Sequence, residues 1–549
     1  MQTPRLKQIR EIARLAGIRE DELELFGEHK AKIKLDIFQR IASRPNGKLI
    51  TVTTITPTKS GEGKTSTAIG LTQALGKLKK NVILCLREPS LGPMFGTKGG
   101  ATGSGFSQVL PAEDINLHFT GDIHAVTSAH NLLASIIDNH IYFGNDLDID
   151  LNKVFWRRAI DINDRQLRYI QCGLGGKVHG FVHNSGFDIS ASSEVMAVLS
   201  MALSVEDLKK RLSRIIVAYT KNGKPVTAGV LRASGAMAVL LRDALKPNLV
   251  QTCEGQPVLI HGGCFANIAH GNNSLIATKL ALKLANYVIT ESGFGTDLGM
   301  EKFFNIVCQE ADLKPDLALL VVSAKALKIQ GGKDEKKVGE KNLRYLEAGF
   351  KNLDHHVDNV LKFGVPVVVA INRFPKDYTD ELNAIKLHCE AKGIKAVISE
   401  VVAKGGEGGK ELAEVVLRTL QVNPSFFKPL YKLELPLKKK IGIIATEIYG
   451  AKNVEYSSEA EKELEHLEHL GFGNLPVNIA KTHLSLSDNP KIKGVPTGWN
   501  LRIKEVKIFS GAGFVVPVAG ETLLMPGLPK NPLAEKLDIT SEGKIIGIS

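Results

Sequence analysis

Six short runs of apolar, mostly β-branched residues, separated by helix-length segments, constrain this chain more than any other feature. They are LITVTTI from Leu49, NVILCL from Asn81, VLIH from Val258, YVIT from Tyr287, LALLVV from Leu317 and VPVVVAIN from Val365. Runs this apolar have no polar face to offer water, so they must be covered on both sides. Strands buried on both faces and spaced by helices build a parallel sheet, which predicts an α/β fold. Between about residues 141 and 254 the runs stop and helical stretches with isolated turns such as KNGKP at 221–225 take over. That change marks an inserted α+β module. After about residue 435 come the charged helical segment SSEAEKELEHLEHL and short strands broken by Gly and Pro, including PGLPKNP from Pro526, the pattern of a C-terminal α+β domain.

The length of 549 residues exceeds what one ordinary core covers. With 43% hydrophobic and 23% charged residues, the composition is that of a chain folded throughout. The chain lacks a run of about 18 uncharged apolar residues, and its first twenty lack the segment of a secretory signal, so neither a membrane span nor export is expected. The opening basic stretch contains Glu11 and Glu20 and reads as a docking helix rather than an acid-poor presequence. Six scattered cysteines without a CxxC pair signal neither a disulfide framework nor a zinc site and fit a reducing cytoplasm. The net charge of +12 is spread along the chain with no arginine-rich arm. A polyanionic small molecule explains the excess as well as nucleic acid does, and most of these side chains read as solvated faces, so no nucleic-acid partner is expected.

The strongest local signal is Thr58-Lys59-Ser60-Gly61-Glu62-Gly63-Lys64-Thr65, directly after LITVTTI and before the helix-forming TSTAIGLTQALGKL. Strand, glycine loop and helix follow in the order a P-loop needs. Gly61 and Gly63 let backbone amides converge on phosphate oxygens, Lys64 reaches the β and γ phosphates, and Thr65 holds magnesium. Thr58 stands where the usual pattern begins with glycine. A plain helix cap needs one glycine and has no use for the Lys-Thr pair. The expected frame is thus a P-loop nucleotide-binding domain from 1–140 and 255–435, the inserted module at 141–254 and the C-terminal domain at 436–549.

After the second strand comes Arg87-Glu88-Pro89-Ser90-Leu91-Gly92-Pro93, then a glycine-rich run from Phe95 to Gly105 that includes Lys98. Ligands of open α/β sheets sit at such strand ends. Arg87 offers a planar fork for a carboxylate or an acyl phosphate, or else makes an ordinary surface ion pair. Phe374, at the end of VPVVVAINRF, either stacks on a planar ring or fills the core. His118, His124, His130 and His140 show no zinc spacing and read as structural. The loop Lys404-Gly405-Gly406-Glu407-Gly408-Gly409 reads as a flexible turn.

Together these segments resemble the formate–tetrahydrofolate ligases nearly end to end. The likeness covers PTKSGEGKT at 57–65, REPSLGP at 87–93, AEDINLHFTGDIHA at 112–125, FANIAHGN at 265–272, AINRFP at 370–375, AKGGEGG at 403–409 and MPGLPK at 525–530. It implies that formate attacks the γ-phosphate of ATP to give formyl phosphate, which tetrahydrofolate then captures. It also implies ATP with Mg2+, a monovalent cation (K+ or NH4+), tetrahydrofolate as co-substrate and a homotetramer. Lys64 and Arg87 would hold the phosphoryl group and formyl phosphate, and Glu88 and Asp122 would be the monovalent-cation ligands.

Two departures fall where substrates are expected. The family usually has a tryptophan before AKGGEGG as partner to the phenylalanine of INRF, and this chain has Val402. Where relatives commonly read Pro-Arg-Glu, this chain reads Val182-His183-Asn184. The expectation is a retained reaction with weaker substrate binding. Two other readings stand beside it: an ATPase switch of the partitioning type, suggested by Lys59 five residues before Lys64, and a catalytically weakened relative of the ligases.

Overall fold

The computed structural model describes residues 6–59, 61–97, 101–520 and 523–547. Ser60, Lys98, Gly99 and Gly100 therefore lie outside the described residues.

All six apolar runs are strands of one large, mostly parallel sheet in a mixed α/β fold. Its order is Leu23–Leu25, Ala31–Ile33, Asn248–Thr252, Pro257–Ile260, Val82–Leu86, Tyr287–Gly295, Lys48–Thr54, Leu317–Val322, Val367–Asn372, Lys395–Ser399. Every pairing from Pro257–Ile260 to Lys395–Ser399 is parallel, and the pairings before it are antiparallel. The period of two sorts the side chains between two cores. Ile50, Val52, Leu319 and Val321 face the core that receives helix Lys64–Lys77, while Leu49, Ala318, Leu320 and Val322 face a larger one. The N-terminal helix Ile9–Leu15 docks on that larger core through Ile9, Ile12 and Ala13.

The segment read as an inserted module supplies a three-stranded antiparallel sheet of Ile149–Val154, Ile216–Thr220 and Pro225–Thr227. It also supplies helices Glu194–Met201, Val205–Arg214 and Ser234–Leu240. Its last strand, Asn248–Thr252, nevertheless belongs to the large sheet. The sequence NLVQT is too polar to announce a buried strand, although all five residues are buried. A third core forms where the long helix Asp122–Tyr142 meets these helices and the C-terminal strand Phe514–Ala519. Among the described residues, no helix is long and apolar enough to cross a membrane.

Candidate functional site

The site forms where the central strands end. Strand Lys48–Thr54 runs into the loop at 55–63, and helix Lys64–Lys77 starts from Gly63 in the left-handed region, at φ 74°. A side chain at Gly63 would bring its Cβ to 2.2 Å from Asn372 Nδ2, so both the backbone and the space require glycine there. Gly61 also has positive φ, and its N–H donates to the Thr58 carbonyl at 3.1 Å.

Glu62 braces this loop from within. Its carboxylate accepts from the Thr58 N–H at 2.8 Å and from the Ser323 hydroxyl, and its carbonyl accepts from Asn372 Nδ2 at 3.0 Å. Burial pushes the Glu62 carboxyl above the usual range, against the opposing bonds from Ser323 and Thr58. Lys59 points outward, with its side chain 72% exposed and 3.5 Å from Glu335.

The first turn of the helix delivers Lys64 and Thr65 to Glu291. This acidic residue stands in the buried strand Tyr287–Gly295, in phase with Ile289, which faces the helix. Lys64 Nζ lies 3.0 Å from Glu291 Oε2, and the Thr65 hydroxyl donates to the same oxygen at 2.8 Å. Arg87, just beyond strand Val82–Leu86, reaches to 3.9 Å of Glu291 Oε1. Its NH1 donates to the Cys264 carbonyl at 3.1 Å, and its buried Nε has no hydrogen-bond partner among the described residues. A carboxylate thus sits where an ammonium, a hydroxyl and a guanidinium converge. Beside it lies a cavity of about 80 Å³ lined by Thr65, Arg87, Glu88, Ser90, Phe265 and Glu291, among others. That is room for an anion of one to a few heavy atoms.

Behind the cavity lies a second buried group of charges. Asp122, the first residue of helix Asp122–Tyr142, accepts from Lys32 Nζ and from Asn248 Nδ2, both at 2.7 Å. Glu88 is raised well above its ordinary value by burial and then by Asp122, with Lys32 opposing. Asp161 caps helix Leu91–Gly96 by accepting from the Ser90 hydroxyl at 2.5 Å and the Leu91 N–H at 2.9 Å.

The remaining expected residues stand at the neighbouring strand ends. Phe374 follows strand Val367–Asn372 and carries Lys325 Nζ 5.1 Å from its ring centre. Val402 follows strand Lys395–Ser399, which pairs with that strand, and its carbonyl accepts from the Phe106 N–H at 2.9 Å. The AKGGEGG loop forms a 3-10 turn at Gly405–Gly409. A Cβ at Gly406 would fall 2.8 Å from the Gln73 backbone in helix Lys64–Lys77, so these glycines allow close approach to the helix.

His130 is structural, as expected. It contacts the Ser193 hydroxyl at 2.8 Å and the Arg157 carbonyl at 3.0 Å, and it stacks on Trp156. Burial holds it down at about 4. His183 lies away from the cavity, 3.6 Å from Asp138 and stacked on Phe181.

Glu291, Asp161 and Lys32 were not singled out from the sequence. Glu291 had a readable signal, since an acid inside the apolar run YVITES is costly to bury without a cation. Lys32 and Asp161 carried none.

With this geometry in view, comparison with known proteins decides the family. The formate–tetrahydrofolate ligase profile matches residues 1–549, the whole chain. The chain belongs to the formate–tetrahydrofolate ligase family. It is accordingly a ligase of formate and tetrahydrofolate, in one-carbon metabolism, and the family indicates that the reaction depends on ATP. Among solved structures, this ligase is similar to translation elongation factor SelB from Methanococcus maripaludis bound to the GTP analogue GppNHp. That match has 21% identity over 26% of this chain and 27% of the other, with a TM-score of 0.16. The apo form of the same factor matches at 18% identity over 28% and 29%, with a TM-score of 0.17. The ligase spans little more than a quarter of the length of these chains.

Proposed function

We propose that the chain makes 10-formyltetrahydrofolate, ADP and phosphate through formyl phosphate, with the loop at 58–65 acting as a P-loop for ATP. The convergence of Lys64, Thr65 and Arg87 on one carboxylate position beside the small cavity carries this reading. Formate is a poor acyl donor because its leaving group is oxide. A formate oxygen that attacks the γ-phosphorus, with the bond to ADP breaking, converts that oxygen into part of a phosphate leaving group. The amine of tetrahydrofolate then attacks the formyl carbon, phosphate departs and the amine loses its proton. Negative charge is concentrated on the phosphoryl oxygens in both steps, where Lys64 and Arg87 stabilise it.

Thr65 and Glu291 offer hard oxygens for Mg2+, which would neutralise the ATP phosphates when bound. Among the described residues no group of three acidic, histidine or cysteine side chains surrounds a metal position. That suits an ion held mainly by substrate phosphate and water. For a monovalent cation, Glu88 fits better than Asp122. Asp122 already has Lys32 and Asn248, whereas burial disfavours the charge on Glu88.

Phe374 would give the planar ring of the folate one stacking face, with Val402 as an apolar wall opposite. Lys59, turned out toward Glu335, does not favour the partitioning-type switch. The domain division and the homotetramer stay part of this reading.

Formate labelled with 18O tests the intermediate. With both formate oxygens labelled, one label per turnover should appear in the released phosphate and the other in the formyl product, and unlabelled phosphate with the lost oxygen found in water would overturn the acyl phosphate route.

A further inference from the structure

The grip on Arg87 continues into a closed loop of buried contacts that the reaction scheme does not use. Arg87 NH1 donates to the Cys264 carbonyl. The Cys264 thiol is fully buried and lies 3.4 Å from His270 Nε2. His270 Nδ1 accepts from the Asn272 N–H at 3.3 Å. An Nδ1 that accepts does not carry the ring proton, so the proton sits on Nε2, toward the sulfur. The Asn272 amide donates to the Ser292 hydroxyl at 2.9 Å and the Glu291 carbonyl at 3.3 Å. Glu291 returns the loop to Lys64, Thr65 and Arg87.

The segment that carries Cys264 has no regular secondary structure from residue 261 to 274. The Phe265 N–H of the same peptide unit donates to the Ala191 carbonyl at 3.1 Å, so that unit is anchored on one side, and the side chains around it complete the aim of the carbonyl that holds Arg87. The side-chain bond from Cys264 to His270 spans this segment and closes it on itself. The Cys264 sulfur lies 3.4 Å from His270 Nε2 and 3.7 Å from the Asn272 carbonyl. The sulfur is thus held in a polar contact rather than packed as a simple apolar group.

We propose that Cys264 and His270 are a positioning pair that fixes the Cys264 carbonyl and, through it, the aim of the Arg87 guanidinium at the formate and phosphoryl site. Neither Cys264 nor His270 is among the residues lining the cavity. The pair acts on the reaction only through Arg87, and it rests on the reading of Arg87 given above. Serine in place of Cys264 keeps a polar contact to His270, whereas alanine removes it.

A double-mutant cycle on the full chain tests this, with initial rates at varied formate, ATP and tetrahydrofolate for Cys264→Ala, Cys264→Ser, Arg87→Ala and the double variant Arg87→Ala/Cys264→Ala. Thermal melts report the folded fraction of each, and rates are taken per folded protein. Cys264→Ala should lower kcat/KM for formate roughly tenfold to a hundredfold, with the KM for tetrahydrofolate unchanged. Cys264→Ser should recover most of that loss. In the Arg87→Ala background, Cys264→Ala should cost nothing further, because its effect passes through the missing guanidinium. If Cys264→Ala fails to fold, the Ser variant against wild type and the matching Arg87→Ala/Cys264→Ser cycle carry the same comparison, with a smaller but still non-additive loss. Fully additive losses, or wild-type kinetics in Cys264→Ala while Arg87→Ala is impaired, overturn the proposal. Wild-type kinetics in Arg87→Ala itself would instead overturn the assignment of the site.

Discussion

Glu291 holds together the three groups that the proposed chemistry needs, and the consequences of changing them differ in kind. Lys64→Ala or Arg87→Ala should leave the fold intact and lower kcat by about a hundredfold or more, as removal of a preorganised charge does. Steady-state rates with a melting curve for each variant check this. Gly63→Ala should act earlier in the cycle. Its left-handed backbone and the Asn372 amide 2.2 Å from a Cβ would distort the loop at a cost of about 1–3 kcal/mol, seen as weakened ATP binding by calorimetry. Val402→Trp should tighten tetrahydrofolate binding about tenfold by adding a second stacking face, and an unchanged dissociation constant would remove Val402 from the folate pocket. The residues of this scale that the sequence made legible were those with a motif. Lys64 and Thr65 followed a glycine loop, and Arg87 followed a strand. Lys32 and Asp161 act through partners 90 and 71 positions away in the chain, a distance that local pattern does not encode.

At the scale of elements, helix Glu194–Met201 is tied to the turn at 510–513 by one carboxyl. Glu194 accepts from the Gly511 N–H at 2.7 Å and the Ala512 N–H at 3.4 Å, and burial drives it up to about 8 despite those bonds. Its folded value lies above its unfolded one, so the folded state holds the extra proton. The stability it contributes is complete below the unfolded value near 4.5 and declines as the pH rises to about 8. Glu194→Gln keeps an acceptor and loses the titration. The variant should therefore gain on the wild type across that window, by up to about 1.4 kcal/mol per pH unit, as denaturant melts at a series of pH values would read. The strands that the sequence revealed were those with a long apolar or β-branched run at their core. Asn248–Thr252 and Lys395–Ser399 escaped because NLVQT and KAVIS mix polar with apolar residues, although both join the sheet. The loop at 404–409 was legible only as a turn, for a related reason. Glycine that permits flexibility and glycine that permits contact look alike until the facing helix is in place.

Across the whole molecule, the C-terminal strand Phe514–Ala519 joins what the sequence divided. Phe514, Val516 and Val518 enter the core around helix Asp122–Tyr142, while Val515 and Ala519 enter the large core beneath the sheet. A strand shared in this way couples the two cores, so calorimetry should show them melting together. Phe514→Ala, at a fully buried ring, should cost about 3–5 kcal/mol and lower that single transition rather than split it. A change of composition near residue 435 was visible in the sequence, but the interleaving of one strand between two cores was not, because alternation alone does not say what each face meets. One consequence follows from the carboxylate of Glu291 lying among Lys64, Thr65 and Arg87. In the proposed site the chain would carry its own rival for the position its substrates need, so an incoming anion would have to displace a tethered one. Chloride and other weakly held ions should then compete poorly, and a ligand with several simultaneous attachments should win the exchange.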